Sequence, residues 1–297
     1  MIYSKNMLKE FYKDSILFKF DDDVNVRIAK SLEENYKSGC YNDFLIKMSN
    51  YYKMIKTLKI EFPSNSNPKF YIYIVPDKNF EKYLNIPSSF AGKKGGGKPV
   101  PSLDIDGFKE AYGTSQNLCI NKTDISIQTE VNLIHEIAHL FHHEFFSQSQ
   151  ILQEGFAECI PLYILDYEDK FIKHKDLLES ISEDDILTVD QMIIEEKNNM
   201  FGCNSLSDNN NGCTFRQSYI SSYLFVRGYL KKLENKYKLN KNEALHLFLE
   251  NVKFSSLLYS QHWLFNSLAD EIDYDYSDIL FSKNIQLEAL HDIKNKR

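Results

Sequence analysis

Between Ser126 and Phe146 the apolar residues Ile127, Val131, Ile134, Ala138, Phe141 and Phe145 recur every three or four positions. That spacing gathers them into one stripe of a long α-helix and requires a core for the stripe to face. The same segment contains His135-Glu136-Ile137-Ala138-His139. His135 and His139 are one helical turn apart, so both imidazoles leave the same face and can bind one cation. Glu136 points around the helix towards the open side of such a cation, where it can take a proton from an activated water. Any fold for this chain must therefore bury a helix while keeping two imidazoles and a carboxylate usable.

A chain of 297 residues is long enough for one large domain or two modest ones sharing a cleft. From Val24 to Lys59 apolar residues at helical spacing (Val24, Ile28, Leu32, then Phe44, Leu45, Met48, Tyr52, Ile55) predict two helices broken near Gly39. Phe70 to Val75, aromatic and β-branched, is the best strand, ended by Pro76. Ala91 to Pro101, with Gly95-Gly96-Gly97, reads as a flexible surface loop, and Asn117 to Asn121 as a short strand able to pair an extended peptide. Gln150 to Cys159 predicts a second helix, kinked or ended by Pro161. The stretches 215–233, 242–252 and 257–268 read as helices, 204–212 as a loop, and Trp263 as a packing residue.

A tetrahedral catalytic zinc needs a third protein ligand and leaves one position for water. Downstream stands Glu154-Gly155-Phe156-Ala157-Glu158. HExxH followed by a helix opening with EGxAE resembles the gluzincin group of zinc metallopeptidases, the superfamily that includes thermolysin-like enzymes and aminopeptidases. The resemblance covers about Phe70 to Leu165, with a fainter likeness from Tyr219 onward. It implies that Glu154 is the third ligand and that Glu158, one turn on, orients a zinc-bound histidine. The reverse assignment, with Glu158 as ligand, is also open, since either can lie on the inward face. The chain departs from the best-known members in having only 14 residues between His139 and Glu154. The metzincin pattern is excluded, because it wants Gly at position 142 and His at 145, where this chain has His142 and Phe145.

The likeness further implies an α+β, zincin-like fold: a small twisted sheet packed on the HExxH helix, with a mainly helical C-terminal half. Residues 1–60 would be a helical lead-in, 61–170 the sheet and zinc-helix subdomain, and 171–297 a helical subdomain completing the cleft. It implies one Zn2+, which two imidazoles and a carboxylate also favour by their chemistry, and a peptide or protein substrate. A tyrosine-bearing segment follows the ligand helix in many gluzincins, so Tyr219 is the first choice for hydrogen-bonding the oxyanion and Tyr223 the second. Arg216 and Arg227 are candidates for anchoring a substrate carboxylate. The amine-anchoring Gly-x-Met-Glu-Asn segment of aminopeptidases is absent, which leans the expectation towards an endopeptidase.

A net charge of −7 argues against a general nucleic-acid binder, which needs a basic surface. No apolar run is long enough to span a membrane, and the first twenty or so residues lack the apolar core of a signal peptide. The cytoplasm is therefore the expected location, with secretion open if a leader was removed. The five cysteines are odd in number and scattered, forming no disulfide framework. Cys203 and Cys213 flank a polar loop that they could close in an oxidising compartment, although reduced thiols are the expectation.

Overall fold

Ser15–Lys19 (β1) and Val24–Ala29 (β2) pair antiparallel, with Ser15 opposite Ala29 and Lys19 opposite Asn25. These strands correct the expected helical lead-in over residues 1–60. The apolar positions Val24, Ile28 and Leu32 are four apart, a spacing that suits a period of 3.6 and a period of 2 alike. The residues between them decide the matter. Val24, Val26 and Ile28 are buried while Asn25 and Arg27 are not fully so, an alternation that β-branched side chains favour in a strand. In the computed structural model the described residues are 11–60, 69–76, 98–105, 108–111, 127–142, 149–168, 181–202, 205–207, 214–256 and 260–295.

Among these, Lys69–Val75 (β3), Lys98–Ile105 (β4) and Phe108–Ala111 (β5) complete a five-stranded sheet in the order β1-β2-β3-β4-β5. Only β2 and β3 run parallel. A parallel pair needs a long crossover, and the connecting chain contains Glu33–Lys37 (α1) and Asn42–Thr57 (α2). The expected helix through Phe44, Leu45, Met48, Tyr52 and Ile55 is α2, and all five side chains are buried. Lys98 to Pro101, expected in a loop, belong to β4. Pro99 and Pro101 lie opposite Ile74 and Ile72, and the described pairs of β4 with β5 begin beyond them, at Ser102. Gly95-Gly96-Gly97 and Asn117 to Asn121 lie outside the described residues.

Ile127–His142 (α3) carries the HExxH sequence. Tyr52 links this helix to the sheet: its ring stacks on Phe70 of β3 at 4.3 Å and tilts against Phe141 of α3 at 5.9 Å. Backbone contacts group residues 1–141 into one unit and 142–297 into another.

The second unit is mostly helical. Its described elements are Gln150–Cys159 (α4), Val189–Lys197 (α5), the strand pair Ser205–Ser207 (β6) and Thr214–Arg216 (β7), and then five further helices. These are Gln217–Tyr237 (α6), Lys241–Ser256 (α7), Gln261–Glu271 (α8), Tyr276–Phe281 (α9) and Asn284–Asn295 (α10). The chain is thus α+β and mainly helical. Helix α6 is buried on nearly every side from Ser218 to Leu230. Small residues make that possible: a Cβ on Gly228 would meet the Ile285 carbonyl of α10 at 2.4 Å. Pro161 ends α4 by widening it into a π-helical turn, Ile160–Ile164, closed by Leu165 N–H to the Ile160 carbonyl at 3.0 Å. Trp263, expected to pack, is 61% exposed. None of the described helices is long and apolar enough to cross a membrane.

Asp21 shows how the β1–β2 turn is held. Its Oδ1 accepts the N–H groups of Asp23 and Val24, and its Oδ2 accepts Ser49 Oγ and Lys53 Nζ from α2. Burial alone would raise its carboxyl, but these hydrogen bonds outweigh that and hold it at about 2. A depressed carboxyl stabilises the fold above its unfolded value of 3.8 and loses that contribution as pH falls towards about 2. Asp21→Asn should therefore cost about 1 kcal/mol at pH 7, after allowance for solvent screening. Denaturation curves of both proteins from pH 7 to pH 2 should converge at the acid end.

Candidate metal centre

The expected apolar stripe of α3 is present at Val131, Ile134, Ala138 and Phe141, and burial extends to Leu133, Ile137 and Leu140. His135 and His139 share this environment, 9% and 5% exposed. Their Nε2 atoms face each other at 2.9 Å, with ring planes at 83°. Glu136 is half-buried, as are Glu130 and Asn132. Glu130 accepts Lys47 Nζ of α2 at 2.8 Å, which ties the start of the helix to the same unit.

Helix α4 begins at the N-cap Ser149, whose side chain accepts the Leu152 N–H. Ile151, Leu152, Gly155, Phe156, Ala157 and Cys159 are buried, whereas Glu154 and Glu158, one turn apart, are half-buried. Gly155 has a steric reason. A Cβ there would lie 2.5 Å from the Ser222 carbonyl and 2.7 Å from the Val226 side chain, so α4 and α6 approach too closely for any other residue. Ser222 supports that approach by turning its hydroxyl back onto the Ser218 carbonyl at 2.7 Å.

One ligand atom from each of His135, His139 and Glu154 lies within 4.8 Å of the others. Among the described residues this is the one such cluster of His, Cys, Asp and Glu, and Glu158 is not part of it. Two imidazole nitrogens and a carboxylate oxygen are the donor set of a catalytic zinc site. Bonds of about 2.0–2.2 Å to a shared ion put tetrahedral ligands roughly 3.3–3.5 Å apart, so modest side-chain rotation closes the set on a metal. Zn2+ therefore fits these residues.

The tyrosines separate clearly. Tyr219 is half-buried, 5.8 Å from the ring of Phe201, and shares the face of α6 that carries Ser222 and Val226 and meets Gly155. Tyr223 is buried and donates its hydroxyl to Glu168. Burial, then the Glu168 carboxylate, pushes its phenol well above the ordinary value.

Arg227 is also a correction. It is fully buried, its Nε donates to Glu168 Oε1 at 2.6 Å and its Nη2 to Asp292 Oδ2 at 2.7 Å. Its guanidinium carbon stands 4.8 Å from the Tyr163 ring centre. Arg227 is therefore committed to the interior and is no anchor for a substrate carboxylate. The Arg216 side chain, Cys203 and Cys213 lie outside the described structure. Sequence reasoning missed Glu168, which sits in an unremarkable acidic stretch, and gave Gly155 no physical role. A glycine inside a helix costs about 1 kcal/mol relative to alanine, and that cost was the available signal.

Comparison with models of known families, with curated proteins and with solved structures finds no match.

Two substitutions probe this arrangement. Gly155→Ala should force α4 off α6, costing about 1–3 kcal/mol and weakening metal uptake, read by thermal melting and by metal analysis of the dialysed protein. Arg227→Met leaves Glu168 buried without its cation and should lose about 3–5 kcal/mol in urea denaturation.

Proposed function

We propose that this protein is a zinc metallopeptidase of the gluzincin type. The observation that carries the reading is convergence: the residues that HExxH and EGxAE nominate as ligands, His135, His139 and Glu154, are the ones whose donor atoms cluster. The α+β arrangement, with a small sheet linked through Tyr52 to the HExxH helix and a mainly helical second half, supports a zincin-like fold.

In this reading His135, His139 and Glu154 hold the ion, which when bound supplies Lewis acidity towards a water and a carbonyl oxygen. Glu136, next to His135 on the helix, takes the proton of the attacking water and delivers it to the leaving amine. Tyr219 donates its hydroxyl to the oxygen that gains charge. Its half-exposed position on the face of α6 that meets α4 supports this role over Tyr223, whose hydroxyl is engaged by Glu168. Glu158, one turn beyond Glu154, orients an imidazole ligand. The substrate is a peptide or protein, cleaved within the chain.

The test is a peptide-library cleavage assay with metal analysis on wild type and Glu136→Gln. Wild type should contain one zinc per chain and cleave peptides. The variant should keep the zinc and lose activity by about 10²–10⁴-fold, the usual worth of a general base. Stoichiometric zinc with no turnover in wild type would instead indicate a non-catalytic, zinc-stabilised binding or effector module. Undiminished cleavage by Glu136→Gln would remove Glu136 from the mechanism.

A further inference from the structure

Glu196, near the end of α5, meets the first residues of two other helices. Its Oε1 accepts the backbone N–H of Gln150 at 3.1 Å, and the side chain of Gln261 hydrogen-bonds to the same carboxylate. Gln150 directly follows the N-cap Ser149 of α4, and Gln261 directly follows the N-cap Ser260 of α8. The carboxylate thus stands at the positive end of the α4 dipole and is tied by a side chain to the first turn of α8. Its Oε2 is buried and accepts no hydrogen bond from the described residues. Burial pushes the carboxyl up, and the bonds from Gln150 and Gln261 only partly oppose that. Placing a carboxylate here therefore carries a desolvation cost, and its return is orientation.

What it orients is the helix that carries Glu154. The cap contact from Ser149 to Leu152 N–H is long at 3.4 Å, so the 3.1 Å bond from Gln150 to Glu196 is the shorter hold on the first turn. Gln150 and Glu154 are four residues apart and share one face of α4. Further along that helix Gly155 packs against the Ser222 carbonyl. A rigid helix fixed at its first residue and at its sixth has little freedom to rotate about its axis, and the ligand lies between those two points.

We propose that Glu196 is a positioning residue for the metal centre: by holding Gln150 it sets the rotation of α4 and hence the location of the Glu154 carboxylate. The proposal rests on the reading of Glu154 as a metal ligand.

Zinc affinity of the full chain, measured by competition with a chelating dye, tests it. Glu196→Leu should bind zinc about tenfold more weakly, the lower end of what removal of an orienting partner costs. Glu196→Gln retains an acceptor for the Gln150 N–H and should bind as wild type does. Gln150→Pro is the second probe, since it deletes the donor at the one helical position where proline is favoured. Ser149, at φ −146° and ψ 110°, already has the extended backbone that a following proline requires. Gln150→Pro should match Glu196→Leu in zinc affinity while melting near wild type, and the double variant should bind no more weakly than either single one. Wild-type affinity in Gln150→Pro, or in a folded Glu196→Leu, overturns the proposal and leaves the metal centre standing. Failure of wild type itself to take up zinc overturns both.

Discussion

The imidazole pair of α3 is what the remainder of the site must accommodate. His135 and His139 stand nearly out of solvent on a helix whose Val131, Leu133, Ile134, Ile137, Ala138, Leu140 and Phe141 are all buried. At 2.9 Å their ring nitrogens share one line, on which only a single proton fits. Protonating both rings would set two cations against each other in a medium that screens poorly. A carboxylate at the same spot, from Glu154, draws positive charge towards it. A divalent cation would meet the demand of all three donors at once.

If the centre depends on Glu154, it depends on how α4 is seated, and the second unit seats it by shape and by polar contacts together. Gly155 lets the helix touch the backbone of α6 at Ser222. Glu196 takes the N–H of its first residue. Beyond its end, the π-helical turn at Pro161 leads to Glu168, whose N–H bonds the Leu162 carbonyl at 3.1 Å and whose carboxylate is gripped by Arg227 and Tyr223. The start, the middle and the exit of α4 are thus constrained by different groups. Arg227 joins α10 to the same hold through Asp292 and the Ala289 carbonyl, so α10 also bears on the exit. Buried ion pairs contribute little net stability when compared with apolar packing, so what this one adds is better described as orientation than as strength.

Much of this was legible in the sequence, and the exceptions have physical causes. The HExxH helix, the EGxAE helix, strand β3 and helices α6, α7 and α8 follow from strong periodicity or from turn residues at their ends, whereas α5, α9 and α10 went unread. Val24–Ala29 was misread because a four-residue spacing satisfies both helix and strand, and the alternation with Asn25 and Arg27 carries the answer. Lys98 to Pro101 read as loop because prolines and neighbouring glycines are breakers in sequence, whereas the pairing with β3 that makes them a strand is a property of the sheet. Tyr223, Arg227 and Glu168 form a buried network across 59 residues of chain, and no local pattern announces such a pairing. Trp263 lies in an apolar run, yet which side of α8 meets the core is set by partners that the run itself does not name.

Taken as physics, Glu-Gly-x-Ala-Glu describes the faces of one helical stretch. Glu154 and Glu158 stand one turn apart and look the same way, which a carboxylate ligand and a supporting carboxylate would need. Gly155 and Ala157 are the smallest residues of the stretch and both are fully covered. Gly155 is where the backbone of another helix arrives at less than a side chain's distance. Glycine there weakens the isolated helix, and serine or alanine would be better helix formers. Close approach of α6 accounts for it, as close approach of α10 accounts for Gly228. In α4 the residue next to the packed glycine is Glu154, so in the proposed site the same contact that seats the helix also sets the height of the carboxylate.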